Sequence, residues 1–202
     1  MRTIPAGIVT LALVLVVAPR ASAEWQIKPF VGVSFGGGTT FVDFEHAVGH
    51  PHPAFGVSGL LLGDVFGIEA DFGRAPGFFE RGRQLVSGQQ LVSDTSVTTF
   101  TGNIVVALPR RFAEYTLRPY VVGGAGVMAV RINDGLGNPY VSRNLQAMDL
   151  GGGVTGFLTN RVGVSWDVRY FRSIDRTLES GFSVGSEQLS FWRANMAVAI
   201  RL

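Results

Sequence analysis

Residues 161–170 read Arg-Val-Gly-Val-Ser-Trp-Asp-Val-Arg-Tyr, and this stretch gives the clearest view of the fold. Apolar and polar side chains alternate along it with a period of two, which is the period of a β-strand. One face is apolar, whereas the other carries Asp167 and Arg169 well inside the segment. A charge removed from water is costly unless it is paired. The pattern therefore predicts a strand with one apolar face and one face of charged and small residues.

The same alternation recurs along the chain. In segment 65–74, Phe66 and Ile68 lie opposite Glu69 and Asp71. Segments 145–159 and 188–202 show the same division. Eight strands are predicted in all, at residues 25–36, 54–63, 65–74, 96–108, 117–132, 145–159, 161–172 and 188–202.

Two features do not follow the pattern. In segment 117–132, glycines interrupt both faces, so the alternation does not decide which face is the apolar one. Arg118 and Arg131 are an odd number of residues apart, so their side chains lie on opposite faces of the strand. Either choice of the apolar face therefore turns one of them outward at a rim, where a long side chain reaches water. Segment 25–36 places Phe30 on the polar face, and the sequence gives no reason for it.

The connections between the predicted strands are sorted by length. Those on one side are short or moderate, at residues 63–64, 109–116 and 159–161. Those on the other side are longer, at residues 37–53, 75–95, 133–144 and 173–187. Outer-membrane barrels have short periplasmic turns and long extracellular loops. The sequence therefore predicts an all-β fold: an eight-stranded antiparallel up-and-down transmembrane β-barrel with its apolar face toward lipid.

A closed barrel crowds its polar face into a narrow lumen, where small residues relieve packing and opposite charges must pair. We expect a structural ion-pair network there. Its predicted members are Lys28, Glu69, Asp71, Asp149, Asp167, Arg169, Arg193 and Arg201.

Aromatic residues fall near the predicted strand ends, as the interface girdles of a membrane barrel require. Trp25, Phe66 and Tyr120 are predicted to mark the periplasmic rim. The residues predicted for the outer rim are Phe35, Phe55, Phe72, Phe100, Tyr170 and Trp192.

The first 23 residues are predicted to be a cleaved signal peptide. Arg2 supplies the positive charge, residues 6–18 are apolar, and Ala21-Ser22-Ala23 is a small-residue cleavage site. The barrel domain then occupies residues 24–202. We expect it in the outer membrane of a two-membrane bacterium, because a secretory signal precedes strands of the membrane-barrel type.

Composition narrows the chemistry. The sequence has no cysteine, which excludes disulfides and thiolate metal sites. The net charge is only +2, and no basic stripe with interleaved aromatics points to nucleic acid as a partner. The expected partners are outer-membrane lipid and, during insertion, the barrel assembly machinery. The chain is expected to act as a monomer.

The segment Arg118-Pro119-Tyr120-Val121-Val122-Gly123-Gly124-Ala125-Gly126, a glycine-rich sixth strand and an alternating apolar last strand resemble the OmpA-like family of small outer-membrane barrels. The resemblance covers residues 24–202 and implies a small outer-membrane barrel. Such barrels often end in an aromatic residue that the insertion machinery recognises, whereas this chain ends in Leu202. A second, peptidoglycan-binding domain is not expected.

Catalytic and metal sites are not expected, nor are cofactors. His46, His50 and His52 all lie in one long connection, where nothing fixes a metal geometry. A Ser-His mechanism needs a base within hydrogen-bond reach of the serine, and no predicted strand contains histidine. Glu69 and Asp71 are better explained by ion pairing than by catalysis.

The leading functional hypothesis is a non-enzymatic integral outer-membrane protein. Its lumen is filled by side chains, and its long loops serve envelope stabilisation or adhesion. In the largest of them, 75–95, and at the strand end beside it, aromatic and charged residues form a mixture suited to surface binding: Arg74, Phe78, Phe79, Glu80, Arg81 and Arg83. Two alternatives stay open: a soluble periplasmic lipid binder of the lipocalin type, with an apolar interior, and a lipid-modifying outer-membrane enzyme.

Overall fold

Alternation of apolar and polar residues produces eight antiparallel strands in the computed structural model. It describes residues 23–39, 51–78, 94–109, 112, 117–133, 141–174 and 189–202. The strands are β1 (Glu24–Thr39), β2 (His52–Leu62), β3 (Phe66–Pro76), β4 (Asp94–Ala107), β5 (Leu117–Asn133), β6 (Val141–Phe157), β7 (Val162–Ile174) and β8 (Leu189–Arg201). Within the described ranges, no helix has the length and apolar character to cross a membrane.

The sheet closes on itself. Each strand pairs with the next in the chain, and β1 pairs with β8, so the topology is an up-and-down barrel. The pairing of β1 with β8 is shifted between Phe35 and Gly38. Gly36 has a φ of 60° at this irregularity, a conformation that glycine adopts without steric cost.

All eight predicted strands are present, and the fold class predicted from the sequence is confirmed. Strands β5 and β6 extend beyond the predicted ends, because Arg131 pairs with Ser142 and Ile132 with Val141. This extension shortens their connection to residues 134–140. The prediction that all the longer connections lie at one end of the barrel is therefore only partly right. The connection at 134–140 is shorter than the connection at 108–116, which lies at the opposite end.

The two faces of the wall agree with the alternation. On β3, Glu69 and Asp71 are buried inside the barrel, whereas Phe66 and Ile68 are 69% and 63% exposed outside it. The structure also shows which face of β5 points inward, because Arg118 is buried and Arg131 is exposed.

Phe30 is buried inside the barrel, and the structure supplies the reason that the sequence lacked. Its ring lies 4.7 Å from the Arg193 guanidinium carbon, a cation–π contact. The ring also occupies space left by Gly56, where a Cβ atom would lie 2.5 Å from Phe30 Cζ. The glycine on β2 therefore makes room for the aromatic residue on β1.

Candidate functional site: the barrel interior

Arg169 on β7 lies at the centre of the charged interior. Its Nη1 atom is 2.6 Å from Glu69 Oε1, and its Nε donates to Asp167 Oδ1 at 3.0 Å. The same Nη1 is 3.7 Å from Asp71 Oδ2 and 3.9 Å from Asp149 Oδ2. One guanidinium therefore contacts carboxylates from three strands, with an exposed side-chain fraction of 1%.

The ion pairs cross the barrel. Glu69 and Asp71 project from β3, and Arg169 projects from β7, which is the fourth strand away in either direction around the closed sheet. The pair between Arg169 and Glu69 therefore joins opposite walls. Residues two apart on a strand share a face, which is why each of these strands presents two charged side chains to the same interior.

Two further cations complete this central ion cluster. Arg193 on β8 contacts Asp71 Oδ1 through Nη2 at 2.6 Å and donates from Nη1 to Thr99 Oγ1 at 3.2 Å. Its guanidinium carbon is 4.7 Å from the centroids of both Phe30 and Phe171. Lys28 Nζ lies 3.3 Å from Glu69 Oε2.

The structure brings together seven of the eight predicted network residues, and Arg201 is the exception. Arg201 pairs with Glu24, donates to Asn160 O at 3.1 Å and lies over the Phe157 ring at 3.9 Å. Its register position opposite Gln26 places it at the end of the barrel with the short connections. The parity of Arg201 predicted its inward face but not its height along the barrel.

Polar side chains surround the ion cluster and were missed by the sequence analysis. Asn103 donates to Glu69 Oε1 at 3.3 Å, and Asn195 donates to Asp167 Oδ1 at 3.0 Å. Neutral polar residues carry no charge pattern, so only their inward parity could have indicated them.

Tyr120 is also part of this polar layer, so its prediction as a rim aromatic was wrong. The residue is 7% exposed and faces inward on β5. Its hydroxyl donates to Asp167 Oδ2 at 3.2 Å and lies 3.3 Å from Ser165 Oγ. This placement follows from which of the two alternating sets of β5 residues faces inward, and the glycines of this strand prevented the sequence from showing it.

An apolar cluster lies beyond the ion cluster, toward the long connections. We call it the outer apolar cluster, and its members are Ala54, Ala75, Phe78, Val97, Met128, Val130, Ala147, Phe171, Leu189 and Phe191. Phe78 follows Gly77, whose φ of 69° turns the chain back at the end of β3. The Phe78 ring is 5.0 Å from that of Phe191, which in turn stacks on Phe171 at 5.1 Å.

A second group of apolar side chains packs together toward the opposite end of the interior, among buried polar residues such as Gln26. This inner apolar cluster contains Leu60, Leu62, Val105, Ala107, Tyr120 and Val122. Arg118, beside it, donates to Leu108 O at 2.9 Å, Gly63 O at 3.1 Å and Asp64 O at 2.7 Å. One side chain thus joins two of the short connections.

The ion cluster holds three cationic side chains and four carboxylates, all nearly inaccessible to solvent. Asp149 has no hydrogen-bond partner for either carboxylate oxygen. Among the described residues, no group of three or more His, Asp or Glu side chains has an arrangement that holds a metal ion. His52 was predicted to lie in a connection but is the first residue of β2, buried with its ring 5.8 Å from that of Phe78, whereas His46 and His50 lie outside the described residues.

The outer face of the barrel is mostly apolar. Large hydrophobic side chains such as Ile104, Leu150 and Val121 are 58–68% exposed on it. Trp25 and Phe66 are exposed at the end with the short connections, and Phe55, Phe72, Phe100 and Trp192 are exposed further toward the other end. A band of this kind, flanked by aromatic residues, is the surface that membrane barrels present to lipid.

The family model of the outer membrane protein beta-barrel domain matches residues 8–191. The chain therefore belongs to this family, and it is a protein of the bacterial outer membrane. No curated protein matches the sequence.

Solved structures with the same fold share little sequence with this chain. Neisserial surface protein A has a TM-score of 0.61 at 9% identity, covering 89% of this chain and 97% of that one. The N-terminal β-barrel domain of Pseudomonas aeruginosa OprF has a TM-score of 0.56 at 12% identity, covering 89% and 97%. Yersinia pestis Ail, crystallised with the heparin analogue sucrose octasulfate, has a TM-score of 0.50 at 14% identity, covering 88% and 99%.

Proposed function

We propose that this protein is a non-catalytic integral outer-membrane barrel whose lumen is closed by its own side chains. The observation that carries the proposal is the ion pair between Arg169 and Glu69, which crosses the lumen at 2.6 Å. The outer and inner apolar clusters lie on either side of it. A hydrated ion that crosses the lumen has to pass the packed side chains of both apolar clusters and a fixed, paired set of charges.

The contacts of the interior carboxylates support the absence of catalysis. Glu69, Asp71 and Asp167 each contact an arginine at 3.0 Å or less. A general acid or base needs access to substrate, and these side chains are enclosed by the wall. The apolar outer face also disfavours a soluble lipid carrier, which requires the opposite arrangement.

Closure of the lumen is tested by conductance. We expect the purified protein, reconstituted in planar bilayers, to give no more ion current than protein-free bilayers. A 16-stranded porin reconstituted in the same way is the positive control, because its lumen is an aqueous channel. Steady channel openings of the wild-type protein, with heat modifiability showing a folded barrel, would overturn the closed lumen.

The long connections are the proposed site of biological activity, which we assign to envelope stabilisation or adhesion. Adhesion has one supporting observation: Ail, the attachment invasion locus protein of Yersinia pestis, shares the fold. Phe78, which was predicted to belong to a binding surface in segment 75–95, is instead buried in the outer apolar cluster. Any binding surface in this connection therefore has to use other residues of the segment.

The two loop functions are separated by replacing residues 79–93 with a short Gly-Ser linker. If the segment mediates adhesion, cells expressing the variant lose attachment to host cells and retain their resistance to detergent. If the segment stabilises the envelope, deleting the gene increases detergent sensitivity, and the loop variant fails to restore the resistance that the wild-type gene restores. Unchanged behaviour of both the variant and the deletion strain would reject the two assignments.

The remaining parts of the proposal concern how the protein reaches and occupies its membrane. Residues 1–23 direct secretion and are removed, outer-membrane lipid surrounds the strand wall of the barrel domain 24–202, and the barrel assembly machinery inserts the chain as a monomer. Mass spectrometry of the protein extracted from outer membranes tests the first point. A mature N-terminus at Glu24 is expected, and an intact N-terminus would contradict it.

A further inference from the structure

The lipid-facing wall carries a groove near the end with the short connections. Its floor is a row of small residues that pair with one another in the sheet: Gly59 on β2 pairs with Ala70 on β3, and Ala70 pairs with Gly102 on β4. All three are exposed on the outer face. A Cβ atom added at Gly59 or Gly102 would meet no atom within 4 Å. The wall is therefore open along this row.

Large apolar side chains border the row on both sides. Toward the short connections they are Leu61, Ile68 and Ile104, and toward the other end they are Val57, Phe72 and Phe100. The groove has a volume of about 470 Å³, and its lining includes Trp25. Glu69 and Asn103 also lie along it, but their side chains hydrogen-bond to each other inside the barrel. The side chains that face the groove are therefore apolar.

The depth of the groove decides which lipid leaflet it meets. Trp25 is 58% exposed at the end with the short connections, which is the periplasmic end of an outer-membrane barrel. Ile27, the partner of Gly59, lies two positions further along β1, about 7 Å along the strand from Trp25. An interfacial tryptophan lies at the level of the lipid head groups. The floor of the groove therefore lies among the acyl chains of the periplasmic leaflet.

A groove in a membrane-facing wall is filled by the molecules beside it. An unfilled space gives up the dispersion contacts of the atoms that line it. This groove continues the apolar wall that the barrel presents to lipid. Its floor crosses three strands, which makes it about 10 Å long at the usual spacing of neighbouring strands. That length accommodates several methylene groups of a hydrocarbon chain, and the Trp25 indole N–H is a hydrogen-bond donor for the polar end of the same molecule.

We propose that this groove binds one acyl chain of a phospholipid of the periplasmic leaflet, with the Trp25 indole beside the head group of that lipid. Two contacts distinguish this molecule from the lipid around the rest of the wall: its chain packs on small residues, and its head group lies beside a hydrogen-bond donor. The inference rests on the proposed contact between the strand wall and outer-membrane lipid, and it names the lipid class and the place. It does not depend on the closed lumen.

Quenching of Trp25 fluorescence in detergent micelles tests the inference. Trp166→Phe and Trp192→Phe leave Trp25 as the single tryptophan of the chain. The probe is phosphatidylethanolamine with brominated acyl chains, because bromine quenches an indole that it contacts. We expect quenching that saturates at one lipid per barrel. Filling the groove with Gly59→Leu and Gly102→Leu should weaken binding at least about tenfold.

Ala194→Leu is the matched control, because Ala194 is a small outward-facing residue of β8, outside the groove and between Val33 and Val168. It should leave the affinity for the probe unchanged, and heat modifiability verifies that every variant is folded. Equal affinities of the filled variant and the control, or quenching that rises without saturation, would overturn the groove site and leave the lipid-facing wall intact. No quenching at any lipid concentration would contradict the contact between wall and lipid as well.

Native mass spectrometry of the same samples separates a lipid from a second copy of the chain in the groove. We expect monomers that retain one phospholipid, and monomers of the filled variant without it. Dimers of the parent protein that the filled variant does not form, together with no saturable quenching, would overturn the proposal in favour of a second copy.

Discussion

The central ion cluster and the outer apolar cluster fill neighbouring parts of one interior by different physical means. In the ion cluster, three cations and four carboxylates are held at fixed distances across the barrel. In the outer apolar cluster, aromatic rings such as Phe78 and Phe191 are in direct contact. The first depends on every partner being present, whereas the second depends mainly on volume. The two regions should therefore respond differently to substitution.

The largest effect is expected where a single cation serves several carboxylates. Arg169→Met leaves Glu69 and Asp167 buried without their main partner, and removal of one member of a buried pair costs about 3–5 kcal/mol. Urea unfolding of the barrel in lipid vesicles measures the loss. Arg161→Met, at an exposed turn, is the control and should change stability by less than about 0.5 kcal/mol. Equal stability of the two variants would contradict the assigned role of Arg169.

A smaller loss is expected in the outer apolar cluster. Phe191 packs between Phe78 and Phe171, with ring centroids at 5.0 and 5.1 Å. Phe191→Ala should destabilise the barrel by about 3 kcal/mol through lost contacts and the cavity that remains. Phe191→Leu, which refills part of that volume, should recover at least half of the loss. A loss from Phe191→Leu as large as that from Phe191→Ala would show that volume does not govern this cluster.

Within the ion cluster, two carboxylates should behave differently. Glu69 has ion pairs to Arg169 and Lys28, whereas Asp149 accepts no hydrogen bond and its Oδ2 lies 3.9 Å from Nη1 of Arg169. Glu69→Gln should cost about 3 kcal/mol. Asp149→Asn removes the surplus negative charge and should change stability by less than about 1 kcal/mol in either direction. Comparable losses in both variants, measured by the same urea titration, would refute this distinction.

The smallest effect is expected on the outer face. A Cβ atom added at Gly59 would meet no atom within 4 Å, whereas one added at Gly124 would collide with the Asn103 side chain and the backbone of β4. Gly59→Ala should be neutral or stabilising by up to about 1 kcal/mol, because alanine suits a strand better than glycine. Gly124→Ala should be destabilising. Urea midpoints in the reverse order would mean that the inner wall tolerates added volume.

The alternation in the sequence predicts which face of a strand a side chain occupies more reliably than it predicts which residue that side chain contacts. Parity alone placed Glu69, Asp71, Asp167 and Arg169 inside the barrel, because one step along a strand reverses the face. Parity could not show that Arg201 lies too near one end to reach them and pairs with Glu24 instead. The height of a side chain depends on the register between strands, which is fixed by closure of the whole sheet.

Tyr120 and Phe30 show the same limit in another form. Glycines near Tyr120 obscured the phase of β5, and the structure resolves it through hydrogen bonds to Ser165 and Asp167. Phe30 is accommodated by Gly56 on β2 and Arg193 on β8, which are distant in sequence. Such contacts join different strands, so no local sequence pattern predicts them.

The central claim is that opposite walls of the barrel are joined by a specific ion pair between Arg169 and Glu69. A double-mutant cycle measures this coupling directly, using urea unfolding in lipid vesicles of the wild type, Arg169→Met, Glu69→Gln and the double variant. We predict a coupling energy of at least about 2 kcal/mol, because each single variant leaves the other group buried without its partner. Additive losses, with a coupling near zero, would contradict the cross-lumen pair.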